Sequence, residues 1–101
     1  MVLLMYSKKY CAELVKMYYA KASPDFYEHE AVERALEKTD PEMRKEYDKL
    51  FSFFFENGRR NVNAVAIEFF ISPATVYRRL DRLCEAVNDE LCAIKNKSEA
   101  V

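Results

Sequence analysis

Hydrophobic residues recur along this chain at steps of three and four, with polar residues between them. This period is that of helices with one buried face. Residues that break helices are scarce, since there is a single glycine, Gly58, and only three prolines. A β-rich chain of this length would need many more turn residues. The pattern therefore predicts an all-α fold of about five helices.

Local capping signals divide the chain into these helices. Ser7 is placed to cap the first, and the pairs Ser23-Pro24 and Asp40-Pro41 each combine an N-cap residue with proline at the first helical position. Asn57-Gly58 is expected to close the third helix, with Gly58 in the left-handed conformation. The predicted helices span about residues 7–22, 24–38, 41–57, 62–70 and 73–96.

The last two helices carry the most informative pattern. Ser72 is expected to cap the long last helix, whose apolar stripe falls within an arc of roughly 80°. The short helix before it would dock on this stripe through Val65, Ala66 and Phe69, with Ala66 small enough for a close crossing. The stripe itself suits either a dimer contact or the core of one chain. Its members are Val76, Leu80, Leu83, Val87, Leu91 and Ile94.

Charge is distributed unevenly between the two halves of the chain. The whole sequence has 16 basic and 17 acidic residues, for a net charge of −1. Residues 59–82 contain five arginines against Glu68 and Asp81, so this stretch carries 5 − 2 = +3. Glu85 and Asp89 follow on the same outer face and would be repelled by phosphate. A nucleic-acid contact is therefore expected to end near Arg82.

A long helix with an apolar inner side and an arginine-rich outer side suits the recognition helix of a helix-turn-helix. Arginine reads guanine in the major groove through two hydrogen bonds, and threonine contacts a base edge or a phosphate. Residues 73–83 are the expected recognition helix. The candidates drawn from the pattern are Arg59, Arg60, Thr75, Arg78, Arg79 and Arg82.

The segment VAIEFFISPATVYRRL (65–80) resembles the helix-turn-helix of sigma factor region four and of phage late-transcription activators of the ArpU and RinA kind. The lead-in at 31–51 and the FFENG segment at 54–58 are similar to the same proteins, so the resemblance covers about 31–92. It implies sequence-specific DNA binding, with roles for Ser72, Thr75, Tyr77, Arg78, Arg79 and Arg82.

The chain departs from this family pattern on the short helix and at the turn. Phe70 stands where the family usually has glycine, and Ile67 replaces a common polar residue. Because a phenylalanine adopts a positive φ only at a cost, we expect the turn to be less tight or of another type. The two extra apolar residues are expected to bury against the N-terminal helices or a partner.

Other features favour structural roles. Tyr6, Tyr10, Tyr18, Tyr19 and Tyr27 are expected to form a packed N-terminal layer. Four phenylalanines, Phe51, Phe53, Phe54 and Phe55, cannot share one helical face, so their helix is either sandwiched between neighbours, which we favour, or exposes Phe53 as a contact surface. The three cysteines are expected to be free thiols.

Catalytic and metal-binding motifs are not recognisable in the sequence. His29 has acidic neighbours at i±1, which point to different sides of a helix, and no nucleophile has a base in a known motif. We therefore expect a non-enzyme without cofactor or metal, in the cytoplasm and with no membrane contact.

The sequence thus predicts one domain over 1–101, with supporting helices in 1–58, the helix-turn-helix and extended last helix in 59–96, and a frayed tail in 97–101. Its expected function is transcription regulation through double-stranded DNA, assisted by a homodimer or by a partner such as RNA polymerase. The alternative is a protein-interaction module of helix-turn-helix shape that binds RNA polymerase or another regulator without DNA affinity.

Overall fold

A computed structural model describes residues 7–20, 26–55 and 62–99 of the chain. These residues form five helices and, within the described ranges, no strand, which confirms the all-α class. The cap predicted at Ser23-Pro24 and the helix end predicted at Asn57-Gly58 lie outside the described residues. The helices are α1 (Lys8–Tyr19), α2 (Phe26–Glu37), α3 (Pro41–Phe54), α4 (Val62–Glu68) and α5 (Pro73–Glu99).

Two of the predicted helix starts are confirmed by their capping hydrogen bonds. The Ser7 hydroxyl accepts from the backbone N–H of Tyr10 at 3.1 Å. The Asp40 carboxylate accepts from the N–H groups of Glu42 and Met43, and Pro41 occupies the first turn. In each case the side chain satisfies a donor that has no partner within the helix.

Helix α3 ends at Phe54, earlier than the predicted end near residue 57. The rings of Phe54 and Phe55 stack in parallel at 4.9 Å, and both side chains are buried. Phe55 is the C-cap residue, and its N–H still donates to the carbonyl of Phe51 at 2.9 Å. The end of α3 therefore places two stacked rings in the core. Helix α1 likewise ends earlier than predicted, at Tyr19 rather than near Ala22.

The long helix α5 is the central element of the core. It packs against α2, α1 and α4, and five of the six residues of its predicted stripe are buried, with Ile94 partly buried at the end. The stripe therefore belongs to the core of one chain and is not free to form a dimer. Helices α1 and α2 pack on α5 directly, whereas α3 packs against the short helix α4.

Helices α1, α2 and α3 are tied together by tyrosines that donate to carboxylates. Tyr10 donates to Glu28 and Tyr18 donates to Glu33 across the contact between α1 and α2. Tyr19 donates to Asp48 of α3 at 2.9 Å. Burial and the neighbouring carboxylate raise the pKa of Tyr18 to about 12, and the same two causes raise the pKa of Tyr19.

These three tyrosines are partly buried against the core, as the predicted N-terminal layer requires. The tyrosines at positions 6 and 27 lie outside the described side chains. Two basic side chains also form salt bridges on this side of the molecule. Arg44 pairs with Glu33 at 3.3 Å and with Asp48 at 3.9 Å, and Lys38 pairs with the buried carboxylate of Glu90.

Candidate nucleic-acid interface

The turn between α4 and α5 has the geometry of a helix C-terminal cap with one residue in the left-handed conformation. The N–H of Ile71 donates to the carbonyl of Ala66 at 3.0 Å, and the N–H of Phe70 donates to the carbonyl of Ile67 at 3.4 Å. These two bonds define a Schellman motif with Phe70 at the position that glycine usually occupies. They satisfy carbonyl groups at the end of α4 and turn the chain sharply into α5.

Phe70 has φ = 55°, so the expectation that it would avoid a positive φ is wrong. The hydrogen bonds on both sides of this residue fix the backbone in the left-handed region, in spite of the clash between Cβ and the backbone. Its side chain is 95 % exposed and therefore gains no burial in exchange for this strain. Of the two expectations for Phe70, burial against the N-terminal helices is wrong, and burial by a partner stays a prediction. The turn is as tight as one containing glycine.

Ser72 caps α5, as predicted. Its hydroxyl accepts from the N–H of Thr75 at 3.2 Å and lies 2.9 Å from the Thr75 hydroxyl. Its carbonyl accepts from the N–H groups of Thr75 and Val76. The two hydroxyls are therefore engaged with each other at the start of the candidate recognition helix, and Thr75 is held in one orientation.

Val65 and Ala66 of α4 are buried, and Phe69 is partly buried against the core. Helix α4 packs against α5, in agreement with the predicted docking, and also contacts α3. The small side chain of Ala66 suits this close crossing. The short helix is thus held between its two neighbours.

An open groove of about 260 Å³ lies between α3 and the first part of α5. Three guanidinium groups line it from one side, and α3 forms the other side. Arg78 and Arg82 are exposed, and neither forms a salt bridge within the part of the chain that the structure describes. We call this feature the arginine groove. Its lining residues are Met43, Tyr47, Thr75, Arg78, Arg79 and Arg82.

Arg79 differs from the other two arginines. Its side chain is only 28 % exposed and lies 3.8 Å from the carboxylate of Glu46 on α3. The phenol of Tyr47 lines the same groove. Burial raises the pKa of Tyr47, although the nearby cations of Arg82 and Arg79 act to lower it. Arg79 is therefore held against α3, and Arg78 and Arg82 remain available to a ligand.

The structure brings four of the candidate residues together, namely Thr75, Arg78, Arg79 and Arg82. Tyr77 is 51 % exposed but does not line the groove, because it lies on the other flank of α5. Glu85 and Asp89 are exposed further along α5, where they were expected to end the basic surface. The candidates Arg59 and Arg60 lie outside the described residues.

Sequence reasoning missed three residues of α3 that border this site. Met43, Glu46 and Tyr47 were not among the candidates drawn from the sequence. Met43 and Tyr47 line the groove from α3, and Glu46 pairs with one of its arginines. No local signal could have identified them, because their place depends on how α3 packs beside α5.

Several apolar side chains are exposed around the turn. Ile67 is 76 % exposed, in addition to Phe70, and Phe53 of α3 is 38 % exposed. The ring of Phe53 packs edge-on against the ring of Phe69, with 6.0 Å between the ring centroids. The turn therefore covers only part of this face of α3. Phe51, Phe54 and Phe55 are buried, as expected for a helix between neighbours, whereas Phe53 reaches the surface. A contact surface at Phe53 stays a prediction.

Within the described ranges, few features indicate a reactive thiol, a metal site or a membrane span. None of the three cysteines forms a disulfide, and burial raises the pKa of Cys11 to about 11. No group of three potential metal ligands occurs among residues 7–20, 26–55 and 62–99, and His29 is exposed beside the ring of Tyr18. None of the described helices has the length and apolar character needed to span a bilayer.

No protein family model matches this chain, and no curated protein or solved structure is significantly similar to it.

Proposed function

We propose that this protein binds double-stranded DNA through the arginine groove and the outer face of α5, as a small transcription regulator of bacterial or phage type. The observation that carries the proposal is the presence of two exposed arginines, Arg78 and Arg82, without a salt bridge among the described residues, on a helix held by a tight turn. In this assignment the first part of α5 enters the major groove, which has room for one α-helix.

Electrostatics support this assignment despite the acidic balance of the whole chain. The release of condensed counterions from DNA makes phosphate contacts favourable wherever positive charge is concentrated, and the net charge of the whole chain is only −1. On the other side of the molecule, Arg44 offsets part of the negative charge through its pairs with Glu33 and Asp48.

The length of the basic surface limits the size of the DNA contact. From Thr75 to Arg82 the helix rises by about 10 Å, the length of roughly three base pairs. Glu85 and Asp89 follow on the outer side and repel phosphate. One copy would therefore contact a short half-site, and its affinity would be low and sensitive to salt.

Fluorescence anisotropy with a labelled duplex of mixed sequence tests the proposal. Each phosphate contact contributes about −0.9 to the slope of log Kobs against log salt concentration, so contacts from Arg78 and Arg82 predict a slope of about −1.8. Binding should weaken about twelvefold between roughly 50 and 200 mM salt. Arg78→Ala/Arg82→Ala should lower the affinity and bring the slope close to zero.

Lys9→Ala/Lys16→Ala is the matched control, because it removes the same charge from α1 and neither lysine forms a salt bridge with a described residue. It should leave the slope unchanged within about 0.3 of the wild-type value. Equal losses in both double variants would mean that only net charge matters. That result, or no binding by the wild type at the lowest salt concentration, would refute the proposal.

A second candidate function is that of a protein-interaction module with the same helix-turn-helix shape, which would bind RNA polymerase or another regulator and have no DNA affinity. The observation that favours it is the exposure of Ile67 and Phe70. Loss of partner binding in Ile67→Ser, together with an absence of salt-dependent DNA binding, would support this function instead.

A further inference from the structure

The surface around the turn contains both a projecting aromatic side chain and a recess next to it. Phe70 projects from the turn, and the residues on either side of it, Phe69 and Ile71, line an open recess of about 370 Å³. Lys49 and Glu46 of α3, together with Arg79, form the rest of its lining. We call this recess the turn notch.

The notch is suited to an aromatic ring. A cavity of about 150 Å³ accommodates benzene in a protein interior, so the volume of the notch is sufficient for a phenyl group. Phe69 and Ile71 provide apolar contacts, and the cations of Lys49 and Arg79 are attracted to the face of a ring. Phe70 of the same chain does not occupy it, since this side chain is 95 % exposed.

We propose that the turn notch receives Phe70 of a second copy of this chain, so that the protein forms a two-fold symmetric dimer. A projecting group and its complementary recess lie side by side on one surface, and a two-fold axis between them fills both recesses at once. This self-complementarity is what favours a second copy over an unrelated protein. The proposal does not depend on DNA binding.

The charged side chains around the turn notch also suit a contact between two identical surfaces. Glu68 is exposed two residues before Phe70, and Lys49 is exposed at the notch, so each copy would bring a carboxylate to the lysine of the other. Arg79 and Glu46 already neutralise each other. The net charge of −1 per chain creates little long-range repulsion between the copies.

Dimer formation accounts for the two local costs at Phe70. A glycine would adopt the positive φ without strain, and a polar side chain would suit the exposure better. Neither cost is offset within one copy, whereas both are offset if the ring is buried by a partner. The proposed contact consists of one ring and one ion pair from each copy. A standard interface buries about 800 Å² per partner, so a dimer with so few contacts should be weak and concentration-dependent.

Sedimentation velocity over protein concentrations from about 1 μM to about 1 mM tests the proposal. The wild type should shift from monomer to dimer, and Phe70→Gly should raise the dissociation constant about thirtyfold. Phe70→Gly should also raise Tm by about 3 °C, because it removes backbone strain, so its loss of dimer cannot result from misfolding. Met17→Ala, which truncates an exposed apolar residue on α1, is the control and should dimerise as the wild type does.

Charge reversal tests the pairing of the two copies. Lys49→Glu should weaken the dimer, and Lys49→Glu/Glu68→Lys should restore it, because each reversed charge again faces its opposite. A wild type that stays monomeric at about 1 mM would overturn the proposal, as would normal dimerisation of Phe70→Gly or a double variant that does not recover. Arg78→Ala/Arg82→Ala should dimerise normally, so failure of the dimer and failure of DNA binding are distinguishable.

Discussion

The two sides of this molecule differ in how far their polar side chains are paired and their apolar side chains are buried. Where α1 meets α2 and α3, the tyrosines donate to carboxylates, and Arg44 bridges two acidic residues. Around the turn, by contrast, Phe70 is both strained and exposed, Ile67 is exposed, and two arginines of α5 form no salt bridge with any described residue. The first side is organised for stability, and the second retains local costs that stability alone does not explain.

Such costs indicate where function is located. Proteins keep strained or exposed groups where the surroundings enforce them and where a ligand or partner uses them. Here the enforcing elements are the Schellman hydrogen bonds and the Ser72 cap. The contrast between the two sides therefore supports both the proposed DNA contact and the proposed dimer contact, which lie on either side of Arg79.

The largest effect is expected in the buried part of the stable side. Phe51 is fully buried in α3, and Phe51→Ala should lower the free energy of unfolding by about 3–5 kcal/mol, because it leaves a large cavity. Urea denaturation measures this change. Ser52→Ala, at the exposed next position, should change stability by less than about 0.5 kcal/mol. A loss below about 1 kcal/mol in Phe51→Ala would mean that this core is not as described.

A smaller loss is expected at the turn. Ser72→Ala removes the side-chain cap of α5 and should lower the free energy of unfolding by about 1 kcal/mol. Ser72→Asp should retain most of the stability, because its carboxylate also accepts from the N–H groups of the first turn. Chemical denaturation of the three proteins compares them, and equal losses in the alanine and aspartate variants would argue against the capping role.

Alkaline pH should destabilise the protein through the tyrosines of the stable side. A tyrosine in the unfolded chain loses its proton near pH 10, whereas folded Tyr18 retains it to about pH 12. The unfolded state then binds fewer protons, so the free energy of unfolding is unaffected below pH 10 and falls between about pH 10 and about pH 12. The fall should be shallower in Tyr18→Phe/Tyr19→Phe and unchanged in Ser72→Ala, as measured by urea denaturation at each pH. An unchanged slope in the tyrosine variant would contradict this assignment.

The smallest effect concerns Glu46, which competes with phosphate for Arg79. Glu46→Gln removes an exposed ion pair at 3.8 Å and should strengthen DNA binding about twofold to fivefold at low salt. Glu37→Gln makes the same change of charge on α2 and is the control for a general electrostatic effect. Equal strengthening in both variants would show that Glu46 has no special relation to Arg79.

Local signals explain what could be predicted from the sequence. The caps at Ser7, Asp40 and Ser72 depend on residues within a few positions of each other, and all three are confirmed. The stripe on α5 follows from a period that extends over many turns. These features required no knowledge of the tertiary structure.

The errors and omissions come from effects that local patterns do not contain. The conformation of Phe70 was judged from its intrinsic preference, but two backbone hydrogen bonds override that preference. The roles of Glu46 and Tyr47 depend on the packing of α3 beside α5, which joins segments about thirty residues apart.

The most direct test of the proposed DNA contact is a titration of the labelled protein with a short duplex, followed through the NMR shifts of its backbone amides. The account predicts that the largest shifts fall on residues 72–82, with small shifts on α1 and α2. Shifts concentrated on α1 and α2, or spread evenly over the described residues, would contradict a DNA-binding face built on α5.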